Sequence, residues 1–181
     1  MITKPVRTLI LSSCIALILI FNQFVSTATA EVVADPEQFK NTLLDFSDNP
    51  VQFEDYIKAK QWTVVMFWAS DCHVCNVEAN KFVKLHTEYH EKNIRVLGVS
   101  VDGKRKKAAA QEFINIHNIN FPNLIGELAT ITQLYKQYTG ETWVGTPTFM
   151  VFSPEGKVMA QRAGMLPPEL IVGFIESQIS K

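Results

Sequence analysis

The distribution of apolar residues divides the chain into alternating strand and helix signals. Trp62 to Trp68 (Trp-Thr-Val-Val-Met-Phe-Trp) is a continuous apolar, β-branched and aromatic run. Such a run predicts a strand buried on both faces. Ile94 to Val101 has the same character and predicts a second buried strand. Between them Val77, Phe82, Val83, Leu85 and Tyr89 recur at helical spacing, which predicts a helix running from just after Cys72 to about residue 91. Further helices are expected over Ala108–Ile116, with Phe113 and Ile116 facing inward, and over Leu128–Tyr138, stopped by Gly140. Thr148–Phe152 reads as a strand. Pro154-Glu155-Gly156 then turns the chain into Lys157–Gln161, giving a hairpin. Pro168 opens a last amphipathic helix through about Ile179. Upstream, Thr42–Phe46 and Val51–Phe53 flank Asp48-Asn49-Pro50 and read as strand, turn, strand.

This order of elements implies an α/β fold: a mixed sheet with helices on both faces. The segment from residue 62 to 101 needs a right-handed crossover to pair in parallel. No internal repeat or low-complexity stretch interrupts it.

Residues 1–30 carry a different signal. Lys4 and Arg7 form a positive start, Leu9 to Phe21 is an apolar run, and Ala28-Thr29-Ala30 offers small residues for a signal peptidase. A span needs roughly 20 apolar residues, so the run is short for one. The segment is expected to be a cleaved signal peptide, with an N-terminal membrane anchor over residues 9–25 as the alternative. Residues 31–41 are a leader, and 42–181 form the domain.

Composition fits a folded domain: 47% of the 181 residues are apolar and 19% charged. The net charge is −1 and no long basic tract is present, so nucleic acid is not an implied partner. The basic cluster Lys104–Lys107 reads as a solvated segment. Removal of residues 1–30 takes away Lys4, Arg7 and Cys14, leaving 15 basic and 18 acidic residues and two cysteines, Cys72 and Cys75. Export places that pair in an oxidising compartment.

Cys72-His73-Val74-Cys75 is the candidate reactive centre. Two cysteines at this spacing close a small disulfide ring, and a helix N-terminus stabilises the thiolate of the first. Cys72 is the candidate nucleophile and Cys75, one turn into the helix, the resolving thiol. A charged His73 favours the thiolate, whereas the Asp71 carboxylate opposes it. A structural disulfide is disfavoured because so small a loop gains little entropic stabilisation. A zinc site with His86 and His90 is disfavoured because eleven helical residues separate Cys75 from His86 by roughly 16 Å. A peroxidatic cysteine calls for Thr three residues earlier, where this chain has Ala69.

Phe67-Trp68-Ala69-Ser70-Asp71-Cys72-His73-Val74-Cys75-Asn76-Val77-Glu78 resembles the active-site segment of the thioredoxin superfamily, in particular TlpA/ResA/DsbE-like periplasmic thiol–disulfide oxidoreductases. Gly145-Thr146-Pro147-Thr148-Phe149 is similar to that family's cis-proline loop, and Ser153–Val158 to the hairpin after it. The resemblance implies a thioredoxin-like three-layer α/β/α sandwich with a mixed central sheet and an N-terminal β-hairpin. It implies Cys72, Cys75, Pro147 and Glu78 in catalysis, with Thr146, Trp68 and His73 contacting substrate. No cofactor or metal is implied. Expected partners are protein thiols or disulfides and a membrane electron donor, in the periplasm or outside the cell. Disulfide formation is the alternative direction, and a thioredoxin-fold binding or chaperone module without redox turnover is the alternative class. Many members carry an aromatic residue at the Asp71 position and Pro within the dipeptide, so this chain departs from them where redox drive is set.

Overall fold

The computed structural model describes residues 42–180. The expected signal or anchor segment and the leader lie outside the described residues.

The central strand β3 (Trp62–Trp68) is buried along its whole length. It pairs in parallel with β4 (Ile94–Ser100), and α2 (His73–Tyr89) makes the crossover between them. On its other side β3 pairs antiparallel with β6 (Thr148–Phe152), which pairs with β7 (Val158–Ala163). A short strand β5 (Asn123–Ile125) runs parallel to β4 and antiparallel to β1 (Thr42–Asp45), which forms a hairpin with β2 (Pro50–Gln52). The seven-stranded order is β2-β1-β5-β4-β3-β6-β7.

Strand alternation sends successive side chains to opposite faces, so two cores form. Trp62, Val64, Met66 and Trp68 face one side, where they pack with α2, α3 (Lys107–Ile116) and α5 (Pro168–Ile179). Val65 and Phe67 face the other, against α1 (Phe53–Ile57) and α4 (Leu128–Thr139). The result is the expected three-layer sandwich with its mixed sheet and hairpin. Among the described residues no helix is long and apolar enough to cross a membrane.

Several local expectations are corrected. Phe53 is not strand but the fully buried first residue of α1, a helix absent from the sequence reading. β5 was likewise missed, and β7 is shifted towards Ala163. Ile116 is 65% exposed rather than inward, because α3 buries Ala110 and Phe113 and ends at Ile116. Val77 is 52% exposed, because the inward stripe of α2 runs through Cys75, Glu78, Ala79, Phe82 and Leu85. A buried carboxylate occupies a stripe position, which shifts the apparent phase of the apolar pattern.

His86 ties α2 to the sheet through an acceptor nitrogen: its Nδ1 accepts the Val96 N–H at 3.1 Å. Burial, with His90 and Arg95 nearby, holds its pKa below the ordinary 6.5, and burial acts on His117 in the same direction. A histidine with a depressed folded pKa contributes stability that is complete above about 6.5 and is lost as pH falls through the folded value. The urea midpoint is therefore expected to drop between pH 7 and 5. His86→Gln, whose amide oxygen can still accept from Val96, is expected to flatten that slope; an unchanged slope contradicts the assignment.

Candidate redox-active site

The site is built at the C-terminal end of β3. The strand ends at Trp68, a three-residue loop follows, and α2 begins at His73 with Cys72 as its N-cap. Cys72 has extended backbone angles (φ −79°, ψ 108°), and its Sγ accepts the Cys75 N–H at 3.1 Å. Cys72 is disulfide-bonded to Cys75, with the Cα atoms 5.2 Å apart. Cys72 is half-buried and Cys75 fully buried. Of the two cysteines, Cys72 is therefore the one open to solvent, and Cys75 is shielded within the helix. An N-terminal N–H aimed at Sγ also provides the contact that stabilises a thiolate once the disulfide opens.

Asp102, two residues beyond β4, anchors the intervening loop. Its carboxylate accepts from the Ser70 N–H at 2.8 Å, the Ser70 hydroxyl at 3.1 Å and the Ser100 hydroxyl at 2.9 Å. The Val101 N–H meets the Trp68 carbonyl at 2.9 Å, continuing the β3–β4 pairing into the site. Asp71 pairs with Lys106 at 2.7 Å, and that contact holds the Asp71 carboxyl below its ordinary range. The Lys106 ammonium thus offsets the negative charge beside Cys72. The basic cluster is solvated as expected, and one of its members, Lys106, also neighbours the site. His73 is exposed at the first helical position.

Glu78 lies one turn beyond Cys75 on the same buried stripe. Its side chain is 1% exposed, so the carboxylate is buried rather than solvated. Oε1 accepts from Lys81 at 2.7 Å, while the buried Oε2 has no partner among the described residues.

The Thr146–Pro147 peptide bond is cis. Pro147 is buried and immediately precedes β6, whose first residue, Thr148, stands opposite Phe67. This register brings the cis-proline loop to the end of β3 that leads into Cys72. The Pro147 carbonyl accepts the Gly164 N–H at 2.8 Å, which joins the loop to the end of β7. Thr146 is half-buried, and its backbone makes no hydrogen bond among the described residues.

Trp68 corrects an expectation. Its side chain is 1% exposed, stacks on Phe113 at a centroid distance of 4.3 Å, and donates Nε1–H to Asn123 Oδ1 at 3.1 Å. It has no surface to offer a substrate and serves as the packed floor of the site. Asp102, Asn123 and Asn76 were given no site role by the sequence, and Lys106 was read only as part of a solvated cluster. Asp102 alone carried a signal, as a carboxylate directly after a parallel strand. Among the described residues no group of three His, Cys, Asp or Glu side chains is placed to hold a metal.

Comparison with known proteins agrees with this geometry. The chain is 26% identical over 139 residues to the thiol-disulfide oxidoreductase ResA of Oceanobacillus iheyensis, covering 76% of this chain and 67% of that one. A shorter stretch of 67 residues, 34% of either chain, is 39% identical to alkyl hydroperoxide reductase C of Buchnera aphidicola. A crystal structure described as a putative thiol:disulfide interchange protein DsbE from Chlorobium tepidum superposes with a TM-score of 0.63 at 23% identity, covering 75% of this chain and 90% of that one. A secreted Mycobacterium tuberculosis disulfide oxidoreductase superposes with a TM-score of 0.57 at 20% identity, covering 79% of this chain and 99% of that one. These structures share the thioredoxin-like fold. The AhpC/TSA family model matches residues 35–161, a span that holds both the Cys72–Cys75 pair and the cis-proline loop. The chain belongs to the AhpC/TSA family.

Proposed function

We propose that the chain is an extracytoplasmic thiol–disulfide oxidoreductase that reduces disulfides in partner proteins. The observation that carries this reading is the Sγ of half-buried Cys72 at the N-terminus of α2, bonded to the buried Cys75 and facing its N–H. In the reduced protein the Cys72 thiolate attacks one sulfur of a partner disulfide and displaces the other as a thiolate. Cys75 then attacks Cys72 Sγ, releasing the partner's second thiol and closing the Cys72–Cys75 disulfide. Two electrons pass from protein to partner. A second two-electron transfer, from a donor dithiol in the membrane, restores the reduced state.

Glu78 is the group best placed to take the Cys75 proton, since its unpartnered Oε2 lies on the same buried face one turn away. The Thr146 backbone, free of other hydrogen bonds among the described residues, suits strand-like pairing with an extended partner segment. Exposed His73 stands where a partner would meet Cys72. The sequence character of residues 1–30 supports export or anchoring outside the cytoplasm.

Peroxide reduction is a second reading, favoured by the similarity to alkyl hydroperoxide reductase C. Against it stands Ala69 where a peroxidatic site calls for Thr. The reduction potential of the Cys72–Cys75 couple against glutathione tests the proposal. A potential near or below about −270 mV is expected for a reductant. One near about −120 mV would mark an oxidant that introduces disulfides. Consumption of hydrogen peroxide at a rate exceeding disulfide reduction would favour the peroxidase.

A further inference from the structure

We infer that Asn76 is a positioning residue for the Cys72 nucleophile, held in place by His117 from α3. This rests on the oxidoreductase reading above and adds to it a residue pair that controls the state of Cys72.

Asn76 directly follows Cys75 in the first turns of α2. Asn is a poor helix former because its amide competes for local backbone groups, and here it does so. Its Nδ2 donates to the Cys72 carbonyl at 2.9 Å and to the Ser70 carbonyl at 3.3 Å. The Cys72 carbonyl also accepts the Asn76 backbone N–H at 3.1 Å, so Asn76 grips it twice. Both carbonyls belong to the segment that presents the nucleophile.

The far side of the amide is also engaged. Oδ1 lies 2.9 Å from His117 Nε2. Two carbonyl acceptors fix Nδ2 on the loop side, so the oxygen faces the imidazole and Nε2 carries the proton. His117 caps the C-terminus of α3 and packs on Phe113 at a centroid distance of 4.5 Å; Phe113 in turn stacks on Trp68. The amide is therefore clamped between the active-site loop and the packed floor beneath it.

Two consequences follow for the sulfur. Fixing the Cys72 carbonyl fixes the backbone turn that aims Sγ at the Cys75 N–H, the dipole that favours a thiolate. The amide hydrogens also cover two carbonyl oxygens whose negative ends would otherwise oppose a charge at Sγ. Removing the amide loses both effects. The other ionisable groups in this region are Asp71 with its partner Lys106, Asp102 held by Ser70 and Ser100, exposed His73, and Glu78 with its partner Lys81. Among the described residues the side-chain hydrogen bonds to the Ser70 and Cys72 carbonyl oxygens come from Asn76 and from none of these groups.

The test uses reduced full-length protein and iodoacetamide alkylation across a pH series, with thiolate absorbance as a second readout. Asn76→Ala is expected to raise the Cys72 pKa and to slow alkylation about fivefold at neutral pH. At high pH, where the thiol is fully ionised, its rate should meet that of the unmodified protein. His117→Ala is expected to shift the pKa in the same direction by a smaller amount. The double variant should go no further than Asn76→Ala alone. An unchanged Cys72 pKa in Asn76→Ala, or slowing by the same factor at every pH, overturns the inference. If Asn76→Ala does not fold, His117→Ala decides, and an unshifted pKa there overturns it. Absence of a reactive thiol in the unmodified protein would instead refute the oxidoreductase reading itself.

Discussion

Replacing Cys72 with serine is expected to abolish insulin disulfide reduction, with a loss of roughly a thousandfold or more. A hydroxyl cannot serve as the two-electron sulfur couple, and the buried Cys75 is shielded from an incoming protein disulfide. Folding should survive, because the Cys72–Cys75 ring spans three positions and a loop that small contributes little through chain entropy. Cys75→Ser should behave differently. The first attack remains possible, so a single exposure to partner should consume the protein as a stalled mixed disulfide. Steady turnover would be lost while the initial step persists. Full insulin-reducing activity in Cys72→Ser would remove the basis of the mechanism.

Truncation of Trp68 is expected to be the largest perturbation of stability near the site. The indole is 1% exposed, stacked on Phe113 and hydrogen-bonded to Asn123. Trp68→Ala should cost about 3–5 kcal/mol, the usual range for opening a cavity of this size in a core. Trp68→Phe keeps the stack but leaves Asn123 Oδ1 without its donor, and should cost about 1–3 kcal/mol. Urea denaturation measures both. The pair also separates packing from partner contact: Trp68→Phe should retain the KM for a protein disulfide, because the ring presents no surface to a partner. A large rise in KM with stability intact would restore the role of Trp68 in substrate binding.

The parts of the fold legible in the sequence are those whose signal is local and long. The seven residues of β3 form an unbroken buried run, and their boundaries were read correctly, as were those of β6 and α5. Helix α1 has five residues and β5 three, too few for either periodicity to register. β5 exists because β4 and β1 lie on either side to pair with it, which is information distant in the chain. Helix α2 was recognised, but Val77, counted in its apolar repeat, lies off the buried stripe, where the charged Glu78 stands instead.

The site divides in the same way. The Cys72–Cys75 spacing is local and chemically distinctive, so it could be read directly, and the structure places Cys72 at the helix start as expected. Pro147 and Thr146 came from resemblance alone; the β6–β3 register explains why that loop approaches the end of β3 that leads into the reactive segment. The residues that hold the loop come from other elements. Asp102 is 32 positions from Ser70, Lys106 is 35 from Asp71, and His117 is 41 from Asn76. Asp102 at least follows a parallel strand, but Lys106 and His117 are ordinary polar residues until folding gives them a partner. Lys106 also changes the electrostatic reading of the motif, since the charge of Asp71, read alone, opposes the thiolate and is now seen to be paired.

The proposed mechanism requires Cys72 to be the sulfur that joins the partner. Incubating reduced Cys75→Ser with a disulfide-bonded protein substrate and mapping the covalent product by mass spectrometry tests this directly. The predicted result is a mixed disulfide between Cys72 and a substrate cysteine, released by dithiothreitol and absent when Cys72 is also replaced. A protein that forms no covalent adduct, or forms one that persists without Cys72, would contradict it.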